Sequence, residues 1–101
     1  MATLHTVNKS PFETGALLSC LTHCKPGDAV VLIEDGVYGA LSASSVAEPV
    51  RAVTSDVAVF ALDGDVKARG IGGKLIAEVE TVDYGGFVDL VVDYDRTLAW
   101  L

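Results

Sequence analysis

The sequence predicts an α/β domain with a mainly parallel sheet of about five short strands flanked by helices. Two wholly apolar segments, residues 29–33 and 57–62, are typical of strands that are buried on both faces. Helical segments separate the strand-like segments along the chain, and this alternation favours parallel pairing through right-handed crossovers. The length of 101 residues suits one domain, so residues 1–101 are predicted to form a single unit.

A first helix is predicted over residues 10–24. Ser10 and Glu13 have the spacing of a capping box, and Pro11 falls at the first helical position, where its missing N–H is not needed. The Pro-Gly pair at residues 26–27 ends the helix. Both cysteines of the chain lie in this helix, so any sulfur chemistry is expected here.

The remaining elements alternate along the chain. Strands are predicted over residues 3–7, 28–33, 57–62, 80–82 and 97–100. Helices are predicted over residues 37–41, from Asp63 to Gly70, and over residues 84–93. Residues 46–53 are ambiguous, because Pro49 excludes a helix that runs through it unless the helix begins there.

Three aspartates follow predicted strands. Asp35, Asp63 and Asp83 stand where open α/β sheets place their ligands, so they could hold a cation. Aspartate is also a preferred helix N-cap, and we favour three caps. The glycines at residues 64 and 70–73 do not have a phosphate-binding spacing, so no cofactor is predicted.

The two cysteines differ in their predicted exposure. At about 100° per residue, Cys24 falls with Leu17, Leu18 and Leu21 on the arc that faces the sheet, and Cys20 lies at its edge. We therefore expect a buried, structural Cys24 and a half-exposed Cys20, which is either functional or merely fills space. His23 lies one turn along from Cys20, and a protonated histidine would lower the pKa of that thiol.

Neither a disulfide nor a metal site is predicted. Residues four apart on a helix have Cβ atoms about 6 Å apart, whereas a disulfide needs about 3.8 Å. Cys20, His23 and Cys24 supply three ligands where a closed zinc site needs four, and His5, the other histidine, lies in a strand. Without a cysteine framework or secretory signal, a reducing cytoplasm is the expected location.

Composition limits the classes of partner. Half of the residues are hydrophobic, so part of the surface is expected to be buried against other subunits; a parallel sheet covered on both faces would also explain this content. The formal net charge is −7, and residues 78–95 contain six acidic residues and no Lys or Arg. Direct nucleic-acid binding is therefore not expected. No apolar run is long enough to span a membrane.

The chain resembles the DsrH/TusB family over essentially its whole length. The motifs that carry the resemblance are LHTVNKSPF at residues 4–12, EDGV at 34–37, ARGI at 68–71, VDYGGFV at 82–88 and LAW at 98–100. Their order and spacing are together specific. The resemblance implies a small flavodoxin-like (DsrE-like) subunit of a cytoplasmic sulfur relay, which passes persulfide sulfur between carrier proteins.

The same resemblance implies partners. They are DsrE-like (TusD-like) and DsrF-like (TusC-like) subunits in a heterohexamer with two copies of each, and sulfur carriers resembling TusA and DsrC/TusE. Sulfurtransferase-type activity is expected only within this complex. The DsrE-type subunit carries its main cysteine where the third strand meets its helix. Here Leu62 and Asp63 occupy that place, so the principal relay cysteine is expected on a partner.

Cys20 bears on the branch of the family. The DsrH branch, from sulfur-oxidising bacteria, has a cysteine in the first helix, which the TusB branch generally lacks. The resemblance therefore favours a DsrEFH-type relay in sulfur oxidation, with Cys20 as the candidate persulfide carrier and His23 as a candidate modulator. Two alternatives stay open: a TusB-like subunit of the TusBCD relay for 2-thiolation of the tRNA wobble uridine, and a non-catalytic structural subunit.

Overall fold

A computed structural model describes residues 2–101 as a five-stranded sheet in the order β4-β3-β2-β1-β5. The strands are β1 (Thr3–Val7), β2 (Ala29–Leu32), β3 (Ala58–Leu62), β4 (Glu80–Val82) and β5 (Arg96–Trp100). All four neighbouring pairs are parallel. The predicted parallel sheet is therefore confirmed. Strand β1 lies between β2 and the edge strand β5.

Four α-helices connect the strands. They are α1 (Ala16–His23), α2 (Ala47–Val53), α3 (Asp63–Ala68) and α4 (Tyr84–Asp93), with short 3-10 helices over Glu34–Ala40 and Gly72–Lys74. The last helix has the predicted bounds. The ambiguous segment forms α2, because Pro49 falls in its first turn, where a missing N–H leaves no intrahelical bond unmade.

The first helix is shorter than predicted. It begins at Ala16, and the predicted capping box does not form. Instead, Ser10 Oγ accepts the Phe12 N–H at 3.1 Å, and the Ser10 carbonyl accepts the Glu13 N–H at 3.1 Å, which closes a turn before the helix. Gly15 stands at the N-cap, since glycine is unfavourable inside a helix but tolerated at this position.

Only one of the three aspartates is a helix cap. Asp83 accepts a backbone hydrogen bond from within α4 at 2.7 Å, as predicted. Asp35 instead pairs with Arg69 at 2.7 Å, and Asp63, the first residue of α3, pairs with Lys67 at 3.0 Å. The prediction of caps at Asp35 and Asp63 is wrong, because nearby basic side chains engage these carboxylates.

The two faces of the sheet are covered unequally. Helices α1, α2 and α3 and the first 3-10 helix share the larger core with strand residues such as Val7, Val30 and Val59. The opposite face presents Leu4, Ala29 and Val31, against which α4 packs. Cys20 belongs to the larger core. Among residues 2–101, no helix has the length and apolar character needed to cross a bilayer.

Gly36 brings the first 3-10 helix against the end of β1. A Cβ built at this position would overlap the carbonyl of Val7, which itself accepts the Ile33 N–H at 3.0 Å. Because the overlapping atoms belong to the backbone of the central sheet, they cannot move aside cheaply. Any side chain here therefore displaces the loop from the carboxyl end of β1.

We expect Gly36→Ala to lower the free energy of unfolding by about 2–3 kcal/mol, because it overpacks a backbone contact. Gly64→Ala is the matched control: nothing lies within 4 Å of its added Cβ, and it sits inside α3. The free energy of unfolding of Gly64→Ala should rise by about 0.5–1 kcal/mol, because alanine has the higher helix propensity. Urea unfolding measures the free energy of unfolding of both variants. If Gly36→Ala and Gly64→Ala change it equally, the close contact at Gly36 is contradicted.

Candidate functional site

The thiols of α1 are exposed in the opposite order to that predicted. Cys20 is 0% exposed in the larger core, whereas Cys24 is partly exposed. The buried arc runs through Leu17, Cys20 and Leu21, and Leu18 is 44% exposed, so the helix is rotated from the expected orientation. Cys24 is the C-cap; its φ of −68° is helical and its ψ of 144° is extended, so the chain leaves the helix after this residue.

His5 completes a cluster with the two thiols. Ligand atoms of His5, Cys20 and Cys24 all lie within 4.8 Å of one another. Sequence reasoning set His5 aside as a strand residue. Strand alternation could have indicated it, since His5 shares a face of β1 with the core residue Val7.

Hydrogen bonds at both ring nitrogens fix the tautomer of His5. The Trp100 indole N–H, which can only donate, reaches His5 Nδ1 at 3.0 Å. The proton of the imidazole is therefore on Nε2, which donates to Asp28 Oδ2 at 3.0 Å. Asp28 also accepts the backbone N–H groups of Thr3 at 3.0 Å and Lys25 at 3.1 Å.

This arrangement suits thiol chemistry better than metal binding. The cluster offers three ligands, and a closed zinc site needs four. His5 would also have to release Trp100 or Asp28 before it could coordinate an ion. The absence of a metal stays a prediction; the histidine that lies near the two thiols is His5 and not, as expected, His23.

The two thiols have opposite pKa shifts. The hydrogen bond with Cys24 raises the pKa of the Cys20 thiol far above its ordinary value, and burial raises it further. The same hydrogen bond lowers the pKa of the Cys24 thiol, against the opposing effects of burial and Asp28. Cys24 therefore loses its proton first, and because the thiolate is the nucleophilic form, it is the more reactive thiol.

His23, the predicted modulator of Cys20, makes other contacts. Its Nδ1 donates to the Ser19 carbonyl at 2.8 Å, and its exposed ring lies 5.2 Å from that of Trp100, centroid to centroid. These contacts commit one nitrogen of the ring to the backbone of α1. An influence of His23 on the thiol pKa stays a prediction.

A cavity of about 350 Å³ opens between the end of α1 and the edge strand β5. His5 lies in its wall and also belongs to the thiol cluster. Lys25 and Arg96 line the cavity as well, and within residues 2–101 neither side chain forms an ion pair. Asp28 also lines the cavity, so its wall carries two cationic side chains and one carboxylate.

In the native protein, we expect iodoacetamide to modify Cys24 well before Cys20. The rate of Cys24 modification should rise with pH, with its midpoint below the ordinary thiol pKa of 9.0. Cys20→Ala removes the S–H donor and should raise that midpoint towards 9.0. Cys20→Ser keeps a donor and should preserve the lower midpoint. Faster modification of Cys20, or one midpoint for all three proteins, would contradict this assignment.

Asp28 is expected to contribute stability that depends on pH. Burial raises the pKa of its carboxyl group, but hydrogen bonds from His5, Thr3 and Lys25 outweigh burial, so the pKa lies below 3.8. The contribution is therefore complete above pH 3.8 and is lost as the pH falls through the lower folded-state pKa.

Asp28→Asn should lower the free energy of unfolding at pH 7 by about 2 kcal/mol, because it removes a charged acceptor from three hydrogen bonds. The difference from the unmodified chain should shrink below pH 3.8. Urea unfolding at several pH values tests this. Asp56→Asn, at an exposed position, is the control and should change stability by no more than about 0.5 kcal/mol.

Comparisons with known proteins identify the family. The family model described as "DsrH like protein" matches residues 9–97. Protein TusB of Pectobacterium parmentieri is 36% identical over 97 residues, which cover 96% of this chain and 99% of the relative. Protein TusB of Salmonella dublin is 39% identical over 99 residues with the same coverage.

Solved structures agree on the fold. The crystal structure of the ychN protein from E. coli superposes with a TM-score of 0.82 at 18% identity, covering 98% of this chain and 99% of the other. A Thermotoga maritima protein, Tm0979, solved by NMR, superposes with a TM-score of 0.65 at 28% identity. The match covers 92% of this chain and 93% of the other. The small parallel α/β architecture is thus shared. The family model and the TusB relatives show that the chain belongs to the DsrH/TusB family of sulfur-relay subunits.

Proposed function

We propose that this chain is a TusB-like subunit of a cytoplasmic TusBCD-type relay that supplies sulfur for 2-thiolation of the tRNA wobble uridine. The observation that carries the proposal is the 36–39% identity, over nearly the full length of both chains, to proteins named TusB. The net charge of −7 supports a role upstream of the tRNA, which a downstream enzyme would contact.

A DsrEFH-type role in sulfur oxidation is the second candidate. It is favoured by Cys20, since a thiol in the first helix is the feature by which the chain resembles the DsrH branch. The two candidates share the chemistry of this subunit and differ in the final sulfur acceptor. The sequence-based preference for sulfur oxidation is less well supported than tRNA thiolation, because the similar curated proteins are named TusB.

The proposed chemistry is persulfide exchange at the thiols of α1, with Cys20 as the candidate carrier. A thiolate attacks the terminal sulfur of a donor persulfide, a new S–S bond forms, and the donor leaves as a thiolate. Lys25 and Arg96, in the wall of the cavity that shares His5 with the thiol cluster, support the approach of an anionic donor. Strand β3 and helix α3 meet at Leu62 and Asp63, where the DsrE-type subunit carries its main cysteine and this chain has none. Most of the sulfur transfer is therefore assigned to a partner subunit.

Assembly with DsrE-like and DsrF-like partners is supported by the outer face of α4. Tyr84 and Val92 are 72% and 76% exposed, and Val88 and Val91 are also exposed on the same helix. No residue of α4 is fully buried in the isolated chain. A helix that is apolar on both sides is typical of one buried on both sides, which a neighbouring subunit of the proposed heterohexamer would provide.

The function is tested in an Escherichia coli strain that lacks its own TusB. This chain, expressed with its own partner subunits, should restore 2-thiouridine in tRNA, measured by nucleoside mass spectrometry. Failure to restore it, together with sulfur transfer to a carrier of the sulfur-oxidation type, would favour the second candidate. Full restoration by a variant with both Cys20→Ser and Cys24→Ser would instead indicate a purely structural subunit.

We expect the double variant Val88→Asp, Val92→Asp to lose co-purification with the partner subunits, because it buries two carboxylates in an apolar interface. The isolated chain should keep its circular dichroism spectrum, since both positions are exposed. The control carries Ala52→Asp and Ser55→Asp at exposed positions at the end of α2. If both variants assemble equally well, α4 is not the interface.

A further inference from the structure

We propose that Cys24 is the entry thiol of this subunit and hands sulfane sulfur on to the buried Cys20. The inference rests on the proposed persulfide function of α1. It assigns a role to a residue that the sequence marked as structural, and it resolves how a thiol with no exposed surface can be loaded.

The positions of the two thiols define a direction of transfer. Cys20 is 0% exposed and belongs to the larger core, so an external persulfide cannot reach its sulfur without opening the fold. Cys24 packs against the same core but is partly exposed. A donor therefore meets Cys24 first. Among residues 2–101, the other thiol is that of Cys20, whose Sγ lies within 4.8 Å of the Cys24 Sγ.

The distance between the thiols suits transfer of one sulfur atom. Their Sγ atoms lie within 4.8 Å, and a persulfide on Cys24 projects its terminal sulfur by about 2.05 Å. Rotation about the Cys24 side chain can therefore bring the terminal sulfur to Cys20. The backbone hydrogen bond from Cys24 N to Cys20 O, at 3.1 Å, holds the two residues together while this happens.

Each step conserves atoms and electrons. In the first, the Cys24 thiolate bonds to the terminal sulfur of the donor persulfide, and the S–S bond of the donor breaks to release its thiolate. In the second, Cys20 attacks the terminal sulfur of the Cys24 persulfide, that S–S bond breaks, and the departing Cys24 sulfur takes up the proton that Cys20 gives up, so Cys24 is again a thiol. The sulfane sulfur passes between the two thiols at an unchanged oxidation state, so no oxidant or reductant is needed.

The helix disfavours the competing reaction. If Cys20 attacked the inner sulfur of the Cys24 persulfide, a Cys20–Cys24 disulfide would form and sulfide would be lost. Residues with this spacing have Cβ atoms about 6 Å apart, whereas a disulfide needs about 3.8 Å, so closure would distort the end of α1. Transfer of the terminal sulfur requires no such approach.

The test loads the full chain, purified with its partner subunits, with glutathione persulfide for increasing times. Alkylation and peptide mass spectrometry then locate the added sulfur. Cys24 should be persulfidated first and Cys20 later. Cys24→Ser should slow loading of Cys20 by at least about tenfold, and Cys20→Ser should load Cys24 at the original rate. Cys24→Ala should behave as Cys24→Ser, and thermal melting checks that both variants are folded.

A second variant tests whether any exposed thiol suffices. Thr22 is exposed and lies about 200° around α1 from Cys20, so Thr22→Cys in the Cys24→Ser chain should take up sulfur without restoring the loading of Cys20.

Three results would overturn the hand-over: unchanged loading of Cys20 in Cys24→Ser, restored loading of Cys20 by Thr22→Cys, or a Cys20–Cys24 disulfide with release of sulfide. If neither thiol accepts sulfur in the assembled complex, the proposed persulfide function fails as well. Loading of Cys20 that is independent of Cys24 defeats the hand-over alone.

Discussion

The hydrogen-bonded series from Trp100 through His5 to Asp28 is the constraint on which the site depends. It joins the last residue of β5, the middle of β1 and the residue before β2, and Asp28 extends it to Lys25, just after α1. Each acceptor is matched by a donor, so this buried polar network lacks the cost of an unpaired group. By fixing His5 beneath the end of α1, the network also fixes what the two thiols face.

Because both nitrogens of His5 are engaged, the reactivity of the thiols is set mainly by each other. The hydrogen bond between the two thiols lowers the pKa of Cys24 and raises the pKa of Cys20. This division of roles needs neither a helix dipole nor a cationic histidine. The exposed side chains of Lys25 and Arg96 lie in the wall of the neighbouring cavity.

Local sequence signals predicted the sheet and α4 well but not the orientation of α1. Continuous apolar runs and alternating elements suffice for parallel strands, and Asp83 marks the start of α4 as a true cap. In α1, however, both Leu18 and Cys20 are apolar, so two overlapping arcs satisfy the helical period. Only packing against the sheet selects the arc containing Cys20. The partnership of His5 with Trp100 joins residues 95 apart in sequence and depends on strand order, which no local pattern encodes.

The arrangement of α4 has a consequence for how the chain persists in a cell. This helix is the principal cover over Leu4, Ala29 and Val31, yet none of its residues is fully buried. In an unassembled copy, α4 is therefore the segment that should open at the lowest free energy and exchange its amide hydrogens first. A subunit seated on its outer face would suppress this opening by mass action. The abundance of the folded chain would then follow the supply of its partners, with proteases removing any excess.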